Sequence, residues 1–209
     1  MVSSYLVPAR DAEAEIEVKR SRFLATLVRA ADEGAARALV EQKRREHWDA
    51  RHHCSAFVLG PPPHAVERSS DDGEPAGTAG APMLEVLRGH DLSDIAVVVT
   101  RWFGGTLLGA GGLVRAYGDA VRAAVEAAGT RRRELLAHWA VDLDHTEAGR
   151  IESELRNRDA EVLDVAYGAR VRLLFGCAPD DGERWAAVLA ELTAGRAVPV
   201  VVGEGWVDR

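Results

Sequence analysis

The sequence predicts an α+β protein made of two domains. Of its 209 residues, 47% are hydrophobic and 28% are charged, which is typical of ordinary globular proteins. Strand and helix signals run in the order strands, helix, strands, helix, strand, helix in the first part, an arrangement that indicates an α+β sandwich. The length accommodates two domains of common size. We therefore expect a first domain over residues 1–132 and a second over residues 137–209.

The first domain is predicted to place helices on one sheet. Asp32 is suited to cap a helix that runs from Glu33 to about His47. The further predicted elements are strands at 14–18, 22–29, 53–59, 65–69 and 95–99, a helix at 82–88, and a long helix from about residue 113. Gly129 lies where a helix C-cap is expected, and the basic run 131–133 that follows it is predicted to be a linker.

The second domain has the predicted order βαββαβ. Its strands are predicted at 139–143, 161–167, 169–177 and 197–202. Helices are expected to open at Thr146 and after Asp180. Pro199 indicates a sheet edge, and the residues after Val202 are predicted to be a short tail. This order of elements is the split arrangement of ferredoxin-like domains.

Charge and composition exclude several classes of protein. The net charge of −7 is spread over both halves, so neither domain has the electrostatics of a general nucleic-acid binder. No apolar run approaches the ~20 residues that span a membrane, and the N-terminus lacks a signal-peptide layout, so we expect a cytoplasmic protein without a membrane contact. Cys54 and Cys177 fall in predicted strands of different domains, which excludes a disulfide framework and a CxxC metal site. We predict neither a metal nor a cofactor.

Residues 95–99 form an unbroken apolar run, which predicts a buried strand. The most unusual stretch lies between this buried strand and the long helix of the first domain. It contains five glycines, Gly104, Gly105, Gly109, Gly111 and Gly112. Glycine is costly in regular structure, so this density indicates backbone with positive φ or backbone that another group approaches closely. Bare N–H groups at the start of a helix attract phosphate, whereas tight strand-to-helix packing explains the glycines without a ligand. Val114 stands where a dinucleotide fingerprint requires Gly or Ala, and no Walker A motif is present.

Two arginines flank these glycines. Arg101 ends the buried strand, where a charge needs a partner or solvent, and the sequence shows no partner, so we predict a binding role for it. Arg115 is a second candidate for binding. Because Asp119 follows four residues later, an intrahelical ion pair explains Arg115 equally well.

An acidic loop precedes the second predicted helix. Its carboxylates, from Asp71, Asp72 and Glu74, suit a hard cation or acid–base chemistry, although the EF-hand spacing is missing and a solvated or helix-capping role fits as well. His53 is a further candidate for binding. His52 and His53 are adjacent in a predicted strand and point to opposite faces, so they cannot share one zinc ion.

Four passages of the first domain together resemble the IMPACT/YigZ family. They are residues 21–23, 50–54, 67–80 and 97–118, and the resemblance spans roughly positions 15 to 128. Departures are small, such as Trp102 where tyrosine is expected and Ala76 where serine is common.

The resemblance implies a fold for each domain. The first is expected to be a ribosomal-protein-domain-2-like βα sandwich, similar to domain IV of elongation factor G, the ribonuclease P protein and kinases of the GHMP type. The second is expected to be ferredoxin-like and similar to domain V of elongation factor G. The order of strands and helices predicted above agrees with both.

The resemblance also implies a link to translation. Eukaryotic members regulate translation by binding the activator of a starvation-responsive initiation-factor kinase. We therefore expect a non-enzymatic binding protein that engages a translation-related protein or ribonucleoprotein, with RNA as a further candidate, through Arg101, the glycines and the acidic loop. The alternative is a small-molecule or phosphate-binding enzyme in which the glycines hold phosphate and Asp71, Asp72 or Glu74 supplies a metal ligand or base.

Overall fold

The structure is a computed structural model that describes residues 3–209. The chain divides into two compact units. The first ends at Arg133 and includes Arg209, and the second spans Glu134–Asp208. Each unit has its own hydrophobic core. Within residues 3–209, no helix is long and apolar enough to cross a membrane.

The first unit is built around an antiparallel sheet. Its elements in chain order are β1 (Ser4–Pro8), β2 (Ala12–Val18), β3 (Ser21–Arg29), α1 (Glu33–Glu46), β4 (His52–Leu59), β5 (Val66–Ser70), α2 (Gly80–Gly89), β6 (Ile95–Trp102) and α3 (Ala110–Ala128). The sheet has the strand order β2-β3-β6-β4-β5. Strand β7 (Thr130–Leu143) follows, and the division between the units falls within it.

Strand β6 lies in the middle of this sheet and is buried on both faces. Val97 and Val99 belong to the core formed with α2 and α3, whereas Ala96 and Val98 belong to the core beneath α1. Because successive side chains on a strand point to opposite faces, a strand covered on both sides needs apolar residues throughout. Residues 95–99 are all apolar because helices pack on both faces of β6.

Local signals at the helix ends are confirmed in two places. The carboxylate of Asp32 accepts a 2.8 Å hydrogen bond from the backbone N–H of Ala35 and caps α1. Helix α3 ends at Gly129, whose φ of +64° favours glycine. Helix α2 begins at Gly80, two residues before the predicted start at Pro82.

The second unit has the predicted order βαββαβ, with β7 as its first strand. The elements that follow are α4 (His145–Asn157), β8 (Glu161–Tyr167), β9 (Val171–Cys177), a short 3-10 helix (Pro179–Asp181), α5 (Gly182–Thr193) and β10 (Val200–Asp208). The strands lie in the order β10-β7-β9-β8. Trp185 of α5 and Phe175 of β9 make an edge-on ring contact in its core. This architecture confirms the predicted ferredoxin-like domain.

The prediction of a tail after Val202 is wrong, because β10 runs to Asp208. A Cβ atom at Gly205 would lie 2.8 Å from the Cε1 atom of His138 in β7. Glycine at this position therefore allows the two strands to approach closely.

The prediction of a linker at 131–133 is also wrong, because β7 already begins at Thr130. The guanidinium of Arg133 donates a 2.8 Å hydrogen bond to the Oδ2 atom of Asp94. A basic run is by itself typical of a solvated linker. Here Arg133 is bonded to Asp94, which lies 39 positions earlier in the chain.

Candidate functional site

Strand pairing brings the predicted site residues of the first unit together. His52 lies opposite Arg101 in the β4–β6 register, and His53 lies opposite Thr100. The acidic loop, residues 71–74, follows β5, the strand that pairs with the other side of β4. Candidates from three separate segments therefore meet at one end of the sheet.

A buried ion pair lies at the centre of this site. The Nη1 atom of Arg101 donates to the Oε1 atom of Glu74 at 2.6 Å, and both residues are less than 10% exposed. The hydroxyl of Tyr117 in α3 donates to the same oxygen at 2.8 Å. A buried carboxylate that accepts two such hydrogen bonds satisfies the requirement that buried charges be paired. Arg101 thus has an internal partner that the sequence did not reveal.

Cys54 extends this network to the acidic loop. Its Sγ atom lies 3.3 Å from the hydroxyl of Tyr117 and 3.0 Å from the backbone carbonyl oxygen of Asp71, which accepts from the thiol. Burial raises the pKa of the Cys54 thiol to about 12 and raises the pKa of Tyr117 well above its ordinary value. Both groups are neutral donors at neutral pH. The sequence predicted Cys54 to lie in a strand, and its patterns gave no sign that Cys54 and Tyr117 share a polar network.

Aromatic rings cover the guanidinium of Arg101. Its Cζ atom lies 5.4 Å from the ring centroid of Phe23 and 5.9 Å from that of Phe103. Both distances are within the range of cation–π attraction. Among residues 3–209, the buried Nε atom of Arg101 has no hydrogen-bond partner.

The carboxylate of Asp71 acts as the cap of helix α2. It accepts hydrogen bonds from the backbone N–H groups of Gly77, Ala79 and Gly80 at 2.8, 3.0 and 2.8 Å. Burial alone raises the pKa of Asp71, but these three hydrogen bonds outweigh it and hold the pKa below its ordinary value. This geometry explains why α2 begins at Gly80, and it corresponds to the capping interpretation of the acidic loop.

The carboxylate of Asp72 is also engaged by the protein. The guanidinium of Arg44 donates to it at 2.6 Å, and the backbone N–H of His53 donates to it at 2.7 Å. A ring nitrogen of His52 lies 2.9 Å from the carbonyl oxygen of Asp72. All three acidic-loop carboxylates therefore have protein partners. Over residues 3–209, no group of three or more His, Cys, Asp or Glu side chains is placed to hold a metal ion.

The imidazole of His53 is buried beside this loop. Its Nδ1 atom lies 3.9 Å from the Oδ2 atom of Asp72, and its Nε2 atom has no partner within the part of the chain that the structure describes. Burial lowers the pKa of His53, because the charged ring would lose its hydration. The ring is therefore neutral at neutral pH.

The glycine turn, residues 103–112, is held against the β2–β3 hairpin. A Cβ atom at Gly104 would lie 2.0 Å from the carbonyl carbon of Arg20, so only glycine fits there. The backbone N–H of Gly104 donates to the hydroxyl of Ser21 at 3.1 Å. Positive φ angles of +84° and +73° account for Gly105 and Gly109. Tight packing and backbone conformation thus explain these three glycines without a ligand.

The last two glycines of the turn lie in the first turn of α3. A Cβ atom at Gly112 would lie 3.0 Å from the Cβ atom of Leu108, whereas one at Gly111 would meet no atom within 4 Å. Helix α3 has no side-chain cap, and no acidic residue lies in its first turn. Within the described part of the chain, neither the N-cap residue Gly109 nor the first turn supplies a side-chain acceptor for the first backbone N–H groups of α3.

The turn displays apolar side chains that the sequence analysis did not single out. Leu107 is 82% exposed and Phe103 is 47% exposed. The sequence could have indicated Phe103 and Leu107, because both are large apolar residues within a glycine-rich segment.

The ion pair between Arg115 and Asp119, one of the two explanations for Arg115 that the sequence offered, is not formed. Asp119 accepts instead from Arg122, three residues further along α3. Within residues 3–209, Arg115 is exposed and makes no hydrogen bond or ion pair. Both arginines are within helical reach of Asp119, and the structure pairs the carboxylate with Arg122.

Comparison with known proteins assigns the family. Residues 19–125 match the model of the Impact N-terminal domain, and residues 141–196 match a domain of unknown function, DUF1949. YvyE of Bacillus subtilis (strain 168) is 38% identical over 197 residues, covering 94% of this chain and 90% of that protein. YigZ of Escherichia coli (strain K12) is 40% identical over 195 residues, covering 93% of this chain and 96% of that protein.

A solved structure supports the fold as well. A crystal structure of a hypothetical protein has 38% sequence identity and a TM-score of 0.65, and it covers 97% of this chain and 98% of that one. The fold and the site therefore define a two-domain α+β protein with an Impact-type N-terminal domain. The chain belongs to the IMPACT family, as the sequence resemblance predicted.

We expect Glu74→Leu to lower the free energy of unfolding by about 3–5 kcal/mol, because Arg101 would stay buried without a carboxylate. Urea denaturation measures this change. Adding Arg101→Met to the same chain should restore most of the loss, since apolar residues often replace a buried ion pair without penalty. The exposed Glu85→Gln is the control. A double variant no more stable than Glu74→Leu would contradict this account of the pair.

We expect stability to fall as the pH drops below about 6.5, in part because of His53. The folded-state pKa of His53 is lowered, so in this window the unfolded chain binds a proton that the folded protein does not. His53→Gln should therefore reduce the slope of unfolding free energy against pH, whereas the exposed His64→Gln should retain it. Equal slopes for the wild type and His53→Gln would show that burial of His53 does not contribute.

Proposed function

We propose that this IMPACT-family member is a non-enzymatic, cytoplasmic binding protein linked to translation, and that its glycine turn contacts a protein or ribonucleoprotein partner. The observation that carries the proposal is the display of Leu107, 82% exposed, on a turn whose backbone is anchored. The link to translation comes from the family resemblance.

The anchoring of the turn supports a recognition role. Gly104 is bonded to Ser21, and the guanidinium of Arg20 donates to the hydroxyl of Thr106 at 3.1 Å. A segment that is already held in place loses less conformational entropy when a partner binds. An apolar side chain that such a segment presents to solvent is a favourable contact for another protein.

Arg101 takes a supporting role in this proposal. The side chain is 6% exposed and bound to Glu74, so a partner reaches little of it. Its guanidinium lies beside the ring of Phe103, at the first residue of the turn. We therefore propose that Arg101 positions the turn, and that Phe103 and Leu107 make the contact.

The overall charge favours a protein or a structured ribonucleoprotein over bare RNA. Non-specific RNA binding depends mainly on neutralising phosphates. A chain with a net charge of −7 opposes this unless a local basic patch compensates. RNA alone is therefore the weaker candidate for the partner.

We expect the wild-type protein to migrate with ribosomal particles when native lysate is fractionated on a sucrose gradient. Leu107→Glu should reduce that share about tenfold, because a charge would be buried without a partner in the interface. Trp48→Ala is a matched control, since Trp48 is also 82% exposed and lies outside the turn. Wild-type protein confined to the light fractions would contradict the proposal.

The alternative of a phosphate-binding enzyme has one observation in its favour, the uncapped N-terminus of α3 at Gly109. In this alternative, the backbone N–H groups of α3 would bind the phosphate. The carboxylates of Asp71, Asp72 and Glu74 already accept hydrogen bonds from other groups of the protein. If it holds, a nucleotide or phosphate at 100 times its Kd should stabilise the fold by about 2.7 kcal/mol, which is several degrees in a thermal-shift assay. The assay should be run with and without magnesium. No shift with any nucleotide would remove this alternative.

A further inference from the structure

An open groove of about 600 Å³ lies between helices α2 and α3, apart from the buried network. Its apolar lining includes Ala81, Val86, Val114 and Gly118. Residues 81 to 89 of α2 border it, a length of about 12 Å at 1.5 Å per residue. The volume is in the range of roughly 300–1,000 Å³ that is typical of small-molecule sites.

Among the described residues, the charged side chains around the groove differ in whether they have a partner. Glu85 is paired with Arg88, and Arg122 is paired with Asp119. Arg115 also lines the groove, and it has no hydrogen bond or ion pair within residues 3–209. The lining therefore combines an apolar surface with one uncompensated guanidinium.

Gly118 is an observation independent of Arg115, and it indicates that the groove is kept open. It lies in the interior of α3, where glycine costs roughly 1 kcal/mol relative to alanine. Its φ is not positive, and an added Cβ atom would lie 3.6 Å from the guanidinium nitrogens of Arg122 and 3.7 Å from the Cγ2 atom of Val86. These are ordinary van der Waals contacts, so the fold itself would accept alanine here. The missing side chain instead leaves the groove deeper.

We infer that the groove between α2 and α3 binds a small apolar molecule that carries one carboxylate or sulfonate group. Its apolar body lies on the floor at Gly118 and Val86, and its anionic group pairs with Arg115. A guanidinium suits this role because it donates two parallel hydrogen bonds to a carboxylate. The site is separate from the glycine turn, so the inference stands independently of the proposed translation partner.

A fluorescence titration with 8-anilino-1-naphthalenesulfonate, an apolar monoanion, tests the inference. Arg115→Gln should weaken its binding about tenfold through loss of a charge-assisted hydrogen bond. Gly118→Ala should weaken binding roughly fivefold while it raises or preserves the melting temperature, because alanine favours the helix. Gly149→Ala, which alters an exposed glycine of α4 with no atom near its added Cβ, should raise or preserve the melting temperature without changing binding.

Competition identifies the chemistry of the ligand. Decanoate should displace the dye from the wild type, whereas decanol should compete much less. Dye affinities that agree within about twofold among the wild type, Arg115→Gln and Gly118→Ala would overturn the inference, because the dye would then bind elsewhere. Equal competition by decanol would also overturn it, because the guanidinium would then play no part. Thermal melting of each variant establishes that it is folded.

Discussion

The buried ion pair between Arg101 and Glu74 is the interaction on which the site depends. It joins the end of the central strand to the acidic loop, and Tyr117 joins both to the long helix. Cys54 then connects Tyr117 to the backbone of Asp71. Charges at this depth are tolerated only when they are paired and hydrogen-bonded. Four segments that are distant in the sequence are therefore held in one arrangement.

This network separates residues that are buried in the site from residues that are exposed on its surface. In the sequence, the carboxylates of the acidic loop suit metal binding or acid–base chemistry. In the structure, one caps helix α2, one pairs with Arg44 and one pairs with Arg101. The glycine turn differs from the acidic loop, because hydrogen bonds hold the turn in place while its side chains Phe103 and Leu107 are exposed. Much of the family signature thus forms a hydrogen-bonded framework, and the apolar side chains Phe103 and Leu107 are exposed on the turn next to it.

The glycines of the first unit illustrate why a motif alone does not reveal a role. Gly104 is required because a side chain would collide with the backbone of Arg20. Gly118 is surrounded by room for a methyl group, so its place in a helix interior indicates a surface that is kept open. The sequence places Gly104 in a glycine-rich stretch and Gly118 inside a predicted helix, but it shows the surroundings of neither. Only the positions of neighbouring atoms distinguish a steric requirement from a groove.

The sequence by itself determined the features that depend on neighbouring residues. Asp32 caps α1 through a residue three positions away, and the apolar run of β6 predicts a buried strand. The tertiary structure decided the partner of Arg101, which lies 27 positions earlier in the chain, the preference of Asp119 for Arg122 over Arg115, and the strand formed by residues 203–208. These outcomes depend on strand pairing, on competition between donors and on close backbone approach. Local periodicity does not encode the partner of Arg101 or the pairing of residues 203–208, because those groups meet only when the sheets form. For Asp119 the periodicity allows both arginines, and the helix in its folded surroundings selects Arg122.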